Sequence, residues 1–271
     1  MAKIHKKEAD MKIIDIHAHI YPDKIAQKAS TAIEHFYDIP MDCDGTLGSL
    51  LKAGDRAGVD TFVVHSVATG PEQVQSINNF IAGAVQAHPG RLIGFATLHP
   101  HSEHIEREVD RVTALGLKGI KIHPDFQKFN IDSDEAFRIY EAIEGRLPVL
   151  IHTGDYRYEF SKPQRVLNVI KRFPRLDVIC AHFGGWSEWG DAAGVLAGQG
   201  VYVDTSSSLY SLTDEQAKAL IISFGADRVL FGSDYPMWEP APDIEKLLRI
   251  GLSAEEKEKI FHLNAEKLLA L

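Results

Sequence analysis

Histidine and aspartate recur in this chain at places where they could hold a divalent ion and activate water. His17 and His19 stand in Asp15-Ile16-His17-Ala18-His19, at the end of an apolar run that begins Lys12-Ile13-Ile14. Side chains alternate along a strand with period two, so both imidazoles leave one face and reach one point beyond the strand end. The same count puts Asp15 on that face, below His17, where it could orient a ligand. Taken alone, a His-x-His is equally well explained by core packing and loop capping. However, three further runs end in histidine: Ile120-Lys121-Ile122-His123-Pro124, Leu150-Ile151-His152-Thr153-Gly154 and Cys180-Ala181-His182-Phe183-Gly184-Gly185. A last one ends in aspartate, Phe231-Gly232-Ser233-Asp234-Tyr235-Pro236. Neutral imidazoles and a carboxylate suit Zn²⁺ first, with Mn²⁺, Fe²⁺ and Co²⁺ as alternatives, and a catalytic site keeps one position open. Such an ion lowers the pKa of its water to about 7 and polarises a substrate oxygen, while an imidazole or carboxylate beside it moves the proton.

The elements that would bring these residues together are legible in the periodicity. Apolar or β-branched runs at 13–19, 61–68, 92–99, 119–123, 148–153, 177–182, 201–206 and 229–233 alternate with helical patterns at 72–88, 103–115, 134–145, 163–172, 214–224 and 243–249. Eight near-continuous apolar strands separated by helices predict an α/β fold, a (β/α)₈ TIM barrel of parallel strands buried on both faces. All strand C-termini then surround one mouth, so the terminal His and Asp converge. Even spacing leaves no linker, and residues 11–271 read as one domain behind an N-terminal extension at 1–10. The stretch 21–48 is too long for one helix and predicts an insertion over the mouth after strand 1. Two C-terminal helical runs, 253–261 and 264–269, are expected to pack outside the barrel.

Composition narrows the function classes. A formal charge of -9 spread along 271 residues, without basic runs, argues against nucleic acid. No stretch approaches a membrane span, and Met1 to Asp10 lacks an apolar segment typical of a secretion signal. Cys43 and Cys180 are the only cysteines and suggest neither a disulfide framework nor a thiolate site, which fits a cytoplasmic protein. A small-molecule substrate is the expected partner, with a homodimer as the default assembly.

Together the D-x-H-x-H opening, I-H-T-G, A-H-F-G-G and G-S-D-Y-P motifs resemble the amidohydrolase superfamily. More closely, they resemble its TIM-barrel branch of metal-dependent hydrolases and decarboxylases related to aminocarboxymuconate semialdehyde decarboxylase. The resemblance runs from about Ile13 to the Asn264-Ala265-Glu266 tail. It implies that His17, His19, His152 and Asp234 hold one divalent ion, and that His182 sits beside its water and activates it. Asp234 would be both ligand and proton carrier, as in hydrolytic relatives. Binuclear members carry a carbamylated strand-four lysine, a role Lys121 could fill, but the chain is more similar to the single-metal branch. The leading expectation is hydrolysis of a small amide, lactone or ester. The alternative is non-oxidative decarboxylation or hydration of an aromatic or unsaturated carboxylic acid, and a catalytically silent metal-binding barrel is a third. Candidate substrate contacts are His123, Tyr156, Arg157, Trp186 and Tyr235, with Arg157 able to hold a carboxylate bidentately. His65, His99 and His101 read as ordinary loop or pocket-wall histidines.

Overall fold

The structure is a computed structural model that describes residues 11–271, so the extension expected at 1–10 lies outside the described residues. Eight strands pair in parallel in chain order. They are β1 (Ile14–His19), β2 (Thr61–His65), β3 (Leu92–Thr97), β4 (Gly119–Ile122), β5 (Val149–Ile151), β6 (Val178–Cys180), β7 (Tyr202–Asp204) and β8 (Val229–Leu230). The circuit closes just beyond β8, where the Ile16 amide donates to Phe231 O at 2.9 Å and Ala18 bridges Tyr235. This is the (β/α)₈ barrel that the alternation of runs demanded. Its helices are α1 (Asp23–Tyr37), α2 (Leu47–Ala57), α3 (Val74–Ala87), α4 (Ile105–Ala114), α5 (Pro124–Gln127), α6 (Asp134–Ile143), α7 (Pro163–Arg172), α8 (Trp189–Leu196), α9 (Asp214–Phe224), α10 (Pro240–Arg249), α11 (Ala254–Glu258) and α12 (Asn264–Leu269). Among the described residues no helix is long and apolar enough to cross a membrane.

Both strand faces are apolar because both are covered. Phe62, Val64, Ile120, Ile122, Val149, Ile151 and Val203 belong to the layer under the helices, while Ile14, Ile16, Val63, Phe95, Leu150, Ile179 and Leu230 fill the barrel. Each such side chain contributes roughly 1.5–3 kcal/mol by leaving water. The tail departs from expectation. Ala265 and Leu269 of α12 join the interior group with Ile14, Ile16 and Leu230, so the last helix covers the barrel floor rather than lying outside it. An open floor would leave that apolar layer wet, and the Ala/Leu face of α12 is what closes it.

The strands are shorter than the apolar runs, because the backbone leaves the ladder just before the polar residues. His182 and Asp234 follow β6 and β8 in the left-handed region, with φ of 62° and 66°. Non-glycine residues hold that conformation only where the surroundings impose it. A second departure lies in β1, whose register against β2 shifts between Asp15 and Ala18 by one extra residue. This β-bulge inverts the alternation: Ile14 and Ile16 point inward below it, and His17 and His19 point inward above it. Asp15 is therefore not on the histidine face. Its carboxylate accepts from the His17 amide (3.0 Å), the Ser233 amide (3.1 Å) and Ser233 Oγ (2.6 Å), pinning β1 to the segment after β8. Burial pushes that carboxyl up to about 7 against these hydrogen bonds.

The expected insertion is present. Its helix α1 is held across the barrel mouth by Tyr21 N to Gly45 O (2.9 Å) and Ser30 Oγ to Asp44 O (3.0 Å), while Asp44 accepts from Thr46 and Ser49 to start α2.

Candidate metal centre

His17, His19, Lys121, His123, His152, His182 and Asp234 all line one pocket at the mouth, roofed by Ile33, Tyr37 and Met41 from the insertion. His17 is its most constrained member. Nδ1 lies 2.8 Å from Asp204 Oδ2 and 2.9 Å from Ser206 Oγ, so the ring proton is held there and Nε2 keeps its lone pair for the pocket. Asp234 Oδ1 stands 3.2 Å from that Nε2 and 3.5 Å from His19 Nε2. Two donors each about 2.1 Å from one ion at tetrahedral angles stand about 3.4 Å apart, so the three residues present an ion-sized vertex.

The protonation states suit a cation. Burial lowers His19 to about 4 and His182 to about 3, and takes His65 and His123 well below the ordinary histidine value, so these rings are neutral near pH 7. Burial alone would raise Asp234, but His17, His19 and His182 beside it outweigh burial and hold the carboxyl well below the usual range. Asp204 is held low in the same way, by His17 above all.

His152 and His182 meet at 3.0 Å, Nδ1 to Nε2. His182 Nδ1 donates to Ser206 O at 2.9 Å, which leaves Nε2 a bare lone pair. His152 Nε2 faces Asp125 Oδ2 at 3.2 Å, out of line for a hydrogen bond, and a carboxylate there favours the proton on Nε2. Two lone pairs then oppose each other at the pocket, a conflict relieved by a cation on His152 Nδ1 together with a proton on His182 Nε2. The donor atoms of His17, His182 and Asp234 lie within 4.8 Å of one another, a group to which His152 does not belong. The residues present thus fit a single divalent ion, with His152 and His182 adjoining it from one side. Lys121 Nζ is 3.0 Å from His17 Nε2, and burial lowers its pKa to about 8. The lysine is therefore an immediate neighbour of any ion held there.

Two further groups have converging ligand atoms, His17 with His19 and His65, which brings His65 to the ligand side of the pocket, and His123 with Asp125 and His152. The His123 and His152 rings stack at 3.9 Å with planes 11° apart, so their in-plane lone pairs run almost parallel and do not meet at one ion. His123 Nε2 is engaged by Tyr37 OH at 2.9 Å instead.

The expected substrate contacts divide. His123 lines the pocket. Tyr156 is 69% exposed and outside the lining, and Tyr235 is fully buried beneath it, its hydroxyl 3.4 Å from Thr46 O. Arg157 is taken up by Asp155 (Nη2 to Oδ2, 2.7 Å) and by Phe36 O at the end of α1 (2.6 Å), with its guanidinium over the Phe36 ring. It clamps the insertion to the loop after β5 and has no face left for a substrate carboxylate. Trp186 packs on Tyr37 beneath that clamp.

Periodicity and motifs do not single out Asp204, Ser206, Asp125 or Tyr37. Asp204 carries a signal all the same, being the polar residue that ends β7 as the histidines end their strands. Exchange of Asp204 for Asn keeps its shape and removes the charge that fixes the His17 tautomer. The Asp204→Asn protein is expected to bind Mn²⁺ or Zn²⁺ about 10–100-fold more weakly, measured by competition with a chelator, and unchanged affinity would remove Asp204 from the site.

Comparison with solved structures finds the same fold at low identity. An uncharacterised TIM-barrel protein from Bordetella bronchiseptica superposes with TM-score 0.78 at 21% identity, over 96% of this chain and 99% of that one. The 5-carboxyvanillate decarboxylase of Sphingomonas paucimobilis gives 0.75 at 18%, over 97% and 100%. A dihydroxybenzoic acid decarboxylase from Polaromonas, solved with manganese and the inhibitor 2-nitroresorcinol, gives 0.74 at 18%, over 96% and 97%. The amidohydrolase family model matches residues 14–271, so the chain is an enzyme of the amidohydrolase family.

Proposed function

We propose that this enzyme removes CO₂ from an aromatic or unsaturated carboxylic acid at a single divalent ion, Mn²⁺ or Zn²⁺, held by His17, His19, His152 and Asp234. The observation that carries this over hydrolysis is the state of Asp234. One of its oxygens faces His17 and His19, and the other accepts from Ser207 Oγ at 2.5 Å. A carboxylate so occupied is a poor proton carrier to a leaving group. Decarboxylation asks no such service of it, and two of the solved structures of this fold compared above are decarboxylases.

The ion, when bound, supplies a Lewis acid for the substrate oxygen next to the breaking bond. Lys121 is the cationic side chain of the pocket lining and is placed to pair with the substrate carboxylate. As the C–CO₂ bond breaks, its electron pair stays on the substrate carbon, which must take one proton. His182 is the ring positioned to deliver it from Nε2, because Ser206 O fixes Nδ1. Being neutral at rest, His182 first takes that proton from a substrate hydroxyl or from solvent.

The test is to incubate the Mn²⁺-loaded and Zn²⁺-loaded proteins with a panel of hydroxybenzoates and with a panel of lactones and amides. CO₂ release from the acids is expected. Acid production from the second panel with no CO₂ from the first would restore hydrolysis.

A further inference from the structure

The pocket at the candidate metal residues has a free volume of about 30 Å³, roughly one water's share of the liquid. That is room for a reacting group and not for a substrate. A second cavity of about 600 Å³ adjoins it between α1 and α3, and His19, Ile33 and Phe126 line both. Its other walls include Ile25, Ile77 and Phe80, with no Asp, Glu, Lys or Arg among the described residues lining it. Several of its polar side-chain atoms are already engaged. Ser66 Oγ donates to Ile20 O, Ser76 Oγ donates to Gln73 O at 2.9 Å, and Gln73 Oε1 accepts from the Thr69 amide at 2.9 Å. An occupant therefore finds apolar contact and little hydrogen bonding. Ile25 stands 49% exposed at this surface, an apolar side chain without cover.

We infer that the larger cavity receives an apolar hydrocarbon arm of the substrate, whose head reacts at the metal residues; this rests on the metal-centre reading above. Cavities of about 150 Å³ hold a benzene ring, so this one, roughly four times larger, takes an arm of more than a single ring's size. Continuity with the smaller pocket across His19 favours one molecule spanning both. A macromolecular partner seated in the groove would instead block access to His19.

The test measures affinity by calorimetry for straight-chain hydroxamic acids, butano- through octano-, on the Mn²⁺-loaded full chain. The hydroxamate head chelates a divalent ion and the alkyl tail probes the cavity. Affinity should tighten roughly fourfold per methylene. Ala29→Trp, which fills the cavity from α1, should flatten that slope, and so should Ile25→Asp, a change at an exposed position that the fold tolerates. Equal affinities along the series, or a slope untouched in both variants, would overturn the arm site while leaving the metal centre intact. Failure of every hydroxamate to bind would overturn the metal-centre reading, and this inference with it.

Discussion

The Asp234→Asn protein is expected to purify without its divalent ion and to turn over substrate at least about a thousandfold more slowly, the larger part of that loss following from the missing metal. Asp234 is the carboxylate at the vertex shared with His17 and His19. With only neutral imidazoles left, a doubly charged ion in a buried pocket loses its one anionic ligand, and burying charge without compensation is expensive. Asn is the informative replacement because the position has φ of 66°, a left-handed conformation that Asn tolerates better than most residues. The fold is then kept while the charge is lost. Elemental analysis of protein purified without chelator checks the result, and one equivalent of metal retained in the variant would remove Asp234 from the ligand set.

Topology is what makes the centre legible in the amino-acid sequence. Parallel strands in a barrel deliver their last residues to one rim, so His17, His19, His123, His152, His182 and Asp234 are expected at a common mouth from their strand-end positions alone. The rest depends on single-residue details that leave no trace in periodicity. The bulge in β1 turns Asp15 away from the histidines, and an extra residue in a ladder looks like any other residue in the chain. Arg157 reads as a carboxylate anchor until Asp155, two residues earlier, takes its guanidinium. Asp204 ends its run as the histidines end theirs, but its role with Ser206 as the support of His17 and His182 exists only because β7 stands beside β6 and β8 in the closed sheet. The C-terminal helix carries a true amphipathic signal, but its apolar face does not say whether it meets the barrel's side or its floor.

The second large effect separates the paired histidines. His152→Ala is expected to lose the metal, whereas His182→Asn is expected to keep it and to lose about 10²–10⁴ in kcat, the range for removal of a general acid–base group. The structure makes this a real contest, because His182 and not His152 shares the close group with His17 and Asp234. Should His182→Asn lose the ion and His152→Ala retain it, the two rings exchange roles and His152 becomes the proton carrier. A pH measurement gives a readout independent of turnover. Burial lowers His182 to about 3, whereas an unfolded histidine titrates at about 6.5. Between these values the unfolded chain binds a proton that the folded one refuses, so acidification favours unfolding through this window. Stability is full above about pH 6.5 and is lost as pH falls towards 3. His182→Asn removes that site's share, so urea midpoints of the metal-free variant should fall less steeply with acid than those of the metal-free parent. An unchanged slope would mean that the His182 ring takes up a proton as readily in the folded chain as in the unfolded one, so that burial does not hold it neutral through this window.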